Sequence, residues 1–107
     1  MPIPAATDDE YRCVAWGMQS VDAKFTPFMV NKGKVHDEFI KFEMLFCGIC
    51  HSDVHLARND MGNTIYPIVP GHELVGRVVE VGAKVTKVKL GDNVGVGCIL
   101  DSCLDCG

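Results

Sequence analysis

A chain of 107 residues has room for one domain and one core, burying roughly two-thirds of the surface that its unfolded form exposes. Apolar residues make up 48% and charged residues 22%, an ordinary globular composition that excludes a disordered chain. The net charge of -4, with the lysines scattered, leaves no electrostatic footprint for nucleic acid or an anionic membrane, and neither partner is expected.

Residues 1–10, Met1-Pro2-Ile3-Pro4-Ala5-Ala6-Thr7-Asp8-Asp9-Glu10, are acidic and broken by proline, and read as a flexible tail ahead of one domain over 11–107. They lack the basic and apolar regions of a signal peptide, so a reducing, cytoplasmic location is expected. No apolar run approaches the roughly 18 residues of a membrane span. In such a compartment, six cysteines close to histidines suggest metal ligands or reactive thiols, and no disulfides are expected.

Tyr11 to Met18 reads as a first strand, and Phe25 to Val30 as a second, broken early by Pro27. Asn31-Lys32-Gly33-Lys34 reads as a turn. From Glu38 to Cys47, residues Ile40, Phe42, Met44 and Phe46 fall on one face and Lys41 and Glu43 on the other, which predicts a half-buried strand. Ser52 is a good N-cap and Asp53 suits the positive end of a helix, so a short helix is predicted over Asp53 to Arg58. Cys50 then lies just ahead of a helix start, where a thiol ionises more readily. Asn59 to Thr64 reads as a polar loop, and two prolines hold Tyr66 to Gly71 extended. Three strand-like pieces follow: Leu74 to Val81, Val85 to Leu90 and Asn93 to Leu100, separated by Gly82-Ala83-Lys84 and Gly91-Asp92. Short strands in close succession predict a mainly β fold of barrel or sandwich type.

The stretch from Gly48 to Gly76 holds Cys50 and three of the four histidines, His51, His55 and His72, more coordinating chemistry than a small β fold needs. Two Cys-x-x-Cys pairs, Cys47 with Cys50 and Cys103 with Cys106, invite a single four-sulfur zinc site. However, 52 residues lie between the pairs, against roughly 15 to 20 in a compact zinc ribbon, and that arrangement leaves the histidines unused. Cys47 ends a strand and reads as a semi-buried small hydrophobe; Cys13 and Cys98 read as buried strand residues. Gly95-Val96-Gly97-Cys98-Ile99-Leu100 imitates a dinucleotide fingerprint for three letters only, with Leu100 in place of the third glycine, and is rejected.

Cys50-His51-Ser52-Asp53-Val54-His55, then Pro70-Gly71-His72-Glu73, then a Gly-x-Val-x-x-Val-Gly run from Gly76 to Gly82, closely resemble the zinc-dependent medium-chain alcohol dehydrogenases. Tyr66 to Glu73 and Gly91-Asp92-Asn93-Val94-Gly95-Val96-Gly97-Cys98 look most like the cinnamyl alcohol dehydrogenase branch. The resemblance implies a GroES-like, partly open β-barrel with a short helix after Cys50. It implies the N-terminal catalytic part of an enzyme interconverting an alcohol and an aldehyde. NADP or NAD would be bound by a Rossmann domain absent from these residues, and the full-length protein would be a homodimer.

By the same resemblance, Cys50 and His72 ligate a catalytic zinc ion, with Glu73 beside it. Thiolate and imidazole are suitable donors for a tetrahedral site with one open position. Ser52 would take the alcohol proton and pass it through the cofactor ribose toward His55, while Asp53 would fix the tautomer of the ligating histidine. His51 would lie near the cofactor pyrophosphate. Cys103 and Cys106 match the first half of a structural zinc site with four cysteine ligands. With a dinucleotide domain and a further ligand missing, these 107 residues are expected to be inactive alone. Two other readings are a non-enzymatic zinc-binding β-barrel and a zinc-free quinone reductase, the latter opposed by Cys50 and His72 together.

Overall fold

The structure is a computed structural model that describes residues 10–103 and 105. Residues 1–9 of the expected tail, and Cys106, lie outside the described residues. The described elements are β1 (Glu10–Gly17), β2 (Thr26–Gly33), β3 (Ile40–Gly48), α1 (His51–Arg58), β4 (Glu73–Val81) and β5 (Asn93–Val96). β1 and β2 form a two-stranded antiparallel sheet, and β3, β4 and β5 a three-stranded antiparallel sheet with β4 in the middle. The mainly β architecture with one short helix after Cys50 is as the sequence predicts. Among the described residues, no helix is long and apolar enough to cross a membrane. The chain divides into two compact units, one formed by the segment up to Lys34 with His51–Pro70, the other by Val35–Cys50 with the segment from Gly71.

In the first unit β1 alternates: Tyr11, Cys13 and Ala15 are half-buried, while Arg12, Val14 and Trp16 are exposed. Pro27 does not break β2, because it pairs with Trp16 in a ribbon whose two strands are both edges, where a missing N–H is tolerated. Nor do Asn31, Lys32 and Gly33 form a turn. They pair with Arg12, Tyr11 and Glu10, so cross-strand pairing overrides their turn propensity. Met18 and Ile68 exchange backbone hydrogen bonds of 2.9 Å in both directions, which ties the proline-rich segment to the end of β1. Gly17 allows that approach, since a Cβ there would run into the Ile68 carbonyl oxygen.

α1 begins at His51, two residues earlier than predicted, so Ser52 lies inside the first turn and is not the cap. Asp53 remains in that turn and is only 8% exposed. The C-terminus closes as a Schellman motif: Asn59 takes a left-handed φ of 57°, its N–H donates to Leu56 O at 3.2 Å, and the Asp60 N–H donates to His55 O at 3.0 Å. Side chains finish the job that the helix leaves undone at its end. The Thr64 hydroxyl donates to Leu56 O and the Tyr66 hydroxyl to Ala57 O, both at 2.7 Å.

The second unit is centred on β4, where Val78 is 2% exposed. The β3–β4 register shifts twice, between Lys41 and Phe42 and between Met44 and Phe46. These irregularities interrupt the alternation predicted for β3. Ile40 and Phe42 remain half-buried, but Met44 is 49% exposed and Phe46 70% exposed. Gly76 faces the bulged part of β3, where a Cβ would meet the Phe42 ring and the Glu43 carbonyl oxygen.

Val85 to Leu90 is not a strand. The Lys84 N–H donates to Asp37 O at 2.8 Å, and the Val78 N–H reaches Asp92 O and Gly91 N–H reaches Val78 O, both at 2.9 Å, so the intervening residues form a local loop. β5 stops at Val96, short of the predicted Leu100, and Ile99 and Leu100 are exposed.

Gly76→Ala is expected to destabilise the chain by about 1–3 kcal/mol through overpacking against β3. Gly95→Ala, whose new methyl would meet only Leu74 O at 3.6 Å, should stay within about 0.5 kcal/mol of the parent. Urea midpoints of the two variants, compared at equal slope, check this.

Candidate metal centre

The β3–β4 register places the last residue of β3 opposite the first of β4, Gly48 against Glu73. In an antiparallel pair, the residues that follow one strand and precede the other project from the same end of the ladder. Cys50 lies two residues beyond Gly48, and His72 one residue before Glu73. The consequence is a cluster in which the Cys50 Sγ, a His72 ring nitrogen and a Glu73 carboxylate oxygen all lie within 4.8 Å of one another. Cys50 and His72 are half-buried and Glu73 is exposed.

Two glycines make room for this arrangement. A Cβ on Gly48 would collide with the Glu73 carboxylate and come within 2.9 Å of the Glu73 Cβ, so the bare backbone is what lets that side chain lie across the strand end. Gly71 has φ 138°, a value that L side chains rarely adopt, and a Cβ there would lie 2.8 Å from the Cys47 Sγ. Cys47 is exposed rather than semi-buried, and its thiol packs beside Gly71 and points to Gly48 O at 3.7 Å. It is absent from the cluster, so the Cys-x-x-Cys spacing does not bring two sulfurs to one centre. An open groove of about 600 Å³ borders His72 and Glu73, walled by Phe46, Leu74, Val75 and Val96.

The donor set fits zinc. One sulfur, one imidazole nitrogen and one carboxylate oxygen are the ligand types of catalytic zinc sites, which use three protein donors and keep a position open. None of Cys13, Cys47, Cys50, Cys98 and Cys103 is in a disulfide. Cys98, expected to be buried, is exposed because β5 ends before it; Cys103 is exposed as well.

The remaining predicted residues lie on α1. Ser52 is half-buried, His51 and His55 are exposed, and the two imidazole centroids are 6.1 Å apart. The sequence reading missed Asp60, whose Oδ2 lies 2.7 Å from His55 Nδ1. The signal was present in Asn59-Asp60: an asparagine closing a helix in the left-handed region folds the next residue back over the last turn.

The Alcohol dehydrogenase GroES-like domain model matches residues 36–107, two-thirds of the chain. The chain belongs to this family. A mannitol dehydrogenase from Petroselinum crispum is 56% identical over 81 residues, 76% of this chain and 24% of that protein. A cinnamyl alcohol dehydrogenase structure from Sorghum bicolor superposes with a TM-score of 0.86 at 43% identity, covering 90% of this chain and 27% of that one. The structure of a cinnamyl alcohol dehydrogenase from Helicobacter pylori complexed with NADP(H) gives 0.87 at 39% identity, covering 91% and 28%. The chain spans about a quarter of the length of the curated relatives it matches. The GroES-like fold and the cinnamyl alcohol dehydrogenase-like affinity expected from the sequence therefore hold.

Within this alcohol dehydrogenase GroES-like domain, Gly71→Ala is expected to cost about 1–3 kcal/mol, combining backbone strain with the clash against Cys47. Adding Cys47→Ala should recover only the steric part, leaving the double variant below the Cys47→Ala single variant in urea midpoint.

Proposed function

We propose that the chain is the N-terminal, zinc-holding catalytic part of an alcohol dehydrogenase that interconverts an alcohol and an aldehyde with NADP or NAD. The observation that carries the reading is the convergence of Cys50, His72 and Glu73 at one ladder end. Family membership and the alcohol dehydrogenases among its relatives support it. The NADP(H) complex of the Helicobacter pylori protein favours NADP.

Cys50, His72 and Glu73 would hold the zinc ion. Zinc bound there supplies Lewis acidity, which favours loss of the substrate hydroxyl proton and, in the opposite direction, polarises an aldehyde. The chain's own residues would handle the proton. Ser52 would take it while giving up its own hydroxyl proton, and His55 would carry that proton outward to solvent, where α1 exposes the imidazole. Asp60 keeps that imidazole in one orientation. An ionised carboxylate can only accept, so His55 Nδ1 carries the hydrogen and Nε2 remains the basic atom. Asp53, buried in the first turn, is assigned to fixing the tautomer of the ligating histidine. His51, exposed at the helix start, is assigned to the cofactor pyrophosphate, and Cys103 with Cys106 to a structural zinc site completed by further cysteines.

The Rossmann domain would bind the cofactor, and the full-length protein would be a cytoplasmic homodimer acting on small-molecule alcohols and aldehydes. These 107 residues contain no dinucleotide fingerprint of their own. The purified polypeptide should bind zinc without reducing aldehydes in the presence of NADPH.

Elemental analysis after dialysis is the direct check. The parent and Cys47→Ala should retain one equivalent of zinc more than Cys50→Ala and His72→Ala. Loss confined to Cys47→Ala would overturn the ligand assignment, and NADPH-dependent aldehyde reduction by the polypeptide would overturn the expected inactivity.

A further inference from the structure

α1 carries two histidines, neither of them part of the Cys50, His72 and Glu73 cluster. His51 and His55 stand four residues apart on one exposed face of the helix, with ring centroids 6.1 Å apart and planes tilted by 42°. The i, i+4 spacing is the one by which a helix offers two imidazoles to a single ion, as in the His-x-x-x-His core of helical zinc sites. A bound ion about 2.0–2.1 Å from each nitrogen needs the rings somewhat closer than they stand. Both are exposed, so rotation about the side-chain bonds is available to bring them together.

Asp60 makes this pair more than a spacing. Its Oδ2 lies 2.7 Å from His55 Nδ1, and the Asp60 N–H is tied to His55 O at 3.0 Å. The carboxylate therefore accepts the hydrogen bond of Nδ1–H, which leaves the Nε2 lone pair of His55 available. A histidine that ligates metal characteristically gives its other ring hydrogen to such a carboxylate, which fixes the ring's orientation. The opposing factor is the positive end of the helix, which disfavours a cation near His51. Asp53 in the first turn places a carboxylate at that end to offset it.

We propose that His51 and His55, with His55 oriented by Asp60, chelate a divalent transition-metal ion of borderline softness, such as Zn(II) or Ni(II), at a site independent of the Cys50 centre. Water completes the coordination. The ion would engage both imidazoles that the proposed enzymatic reading assigns to cofactor binding and proton transfer. Excess metal would thus compete with those roles.

The experiment is a Ni(II) titration of the polypeptide loaded beforehand with one equivalent of zinc, followed by proton NMR of the imidazole rings. The chain has only four histidines, so single substitutions assign every signal. Zinc loading should shift His72; its failure to do so would count against the Cys50 centre and leave the nickel arm standing. Sub-stoichiometric Ni(II) should then broaden His51 and His55 together and spare His36. His55→Gln should remove the broadening at His51, and Asp60→Asn should weaken nickel binding by about tenfold. Absence of broadening, broadening of one ring alone, or equal broadening of His36 would overturn the proposal, as would an unchanged affinity in Asp60→Asn.

Discussion

The candidate centre depends on the pairing of Gly48 with Glu73. This one register decides that the segment leaving β3 and the segment entering β4 meet, and so makes neighbours of Cys50 and His72, 22 positions apart in sequence. A slip by one residue would reverse the face presented by every side chain of the pair. Two irregularities along β3 absorb the mismatch between its predicted alternation and its actual packing, yet the ladder is regular again by Phe46, just before the end that matters. The sheet tolerates irregular pairing next to Met44, which faces outward, and keeps strict pairing from Phe46 on, where the donors converge.

The helix achieves a similar result by local means. α1 is eight residues long, too short to be stable in isolation. Its end is secured by Asn59 and Asp60 through the backbone and by Thr64 and Tyr66 through their hydroxyls, so three successive carbonyls, of His55, Leu56 and Ala57, are satisfied. The same backbone closure sets the Asp60 carboxylate against His55. A stabilising feature thus fixes the chemistry of a neighbouring side chain, with Asp60 and His55 taking part in both effects.

What could be read from sequence followed from how local the cause is. β1, β4 and the helix were legible because strand propensity, bounding turn residues and a polar first turn act within a few residues. Cys50, His72 and Glu73 were legible because residue type and the motif around them restrict the chemistry so strongly. The loop at 84–90 was not, since its valines and lysines satisfy a strand pattern and only the hydrogen bonds of Lys84 to Asp37 and of Val78 to the Gly91–Asp92 turn forbid one. The extension of β2 through Asn31 to Gly33 was missed for the opposite reason: turn-forming residues were recruited by a partner strand whose pairing no local pattern announces. Asp60 was hidden inside a loop defined only by polarity. Its position follows from backbone conformation at Asn59, which composition does not express.

The Pro70-Gly71-His72-Glu73 segment shows how a short motif can be translated into physical requirements. Pro70 biases the residue before it toward an extended approach. Gly71 takes φ 138° with the Cys47 thiol alongside, a combination that strains any side chain placed there. His72 then emerges beyond the ladder as a donor, and Glu73 begins β4 with its carboxylate laid over a Gly48 that has no Cβ to obstruct it. Cys47 enters this scheme as a neighbour, because its sulfur borders the glycine that turns the chain while Cys50, three residues later, has left the strand and meets the donors. Strand position therefore decides which of two similarly spaced sulfurs reaches the centre, and Cys-x-x-Cys spacing by itself does not.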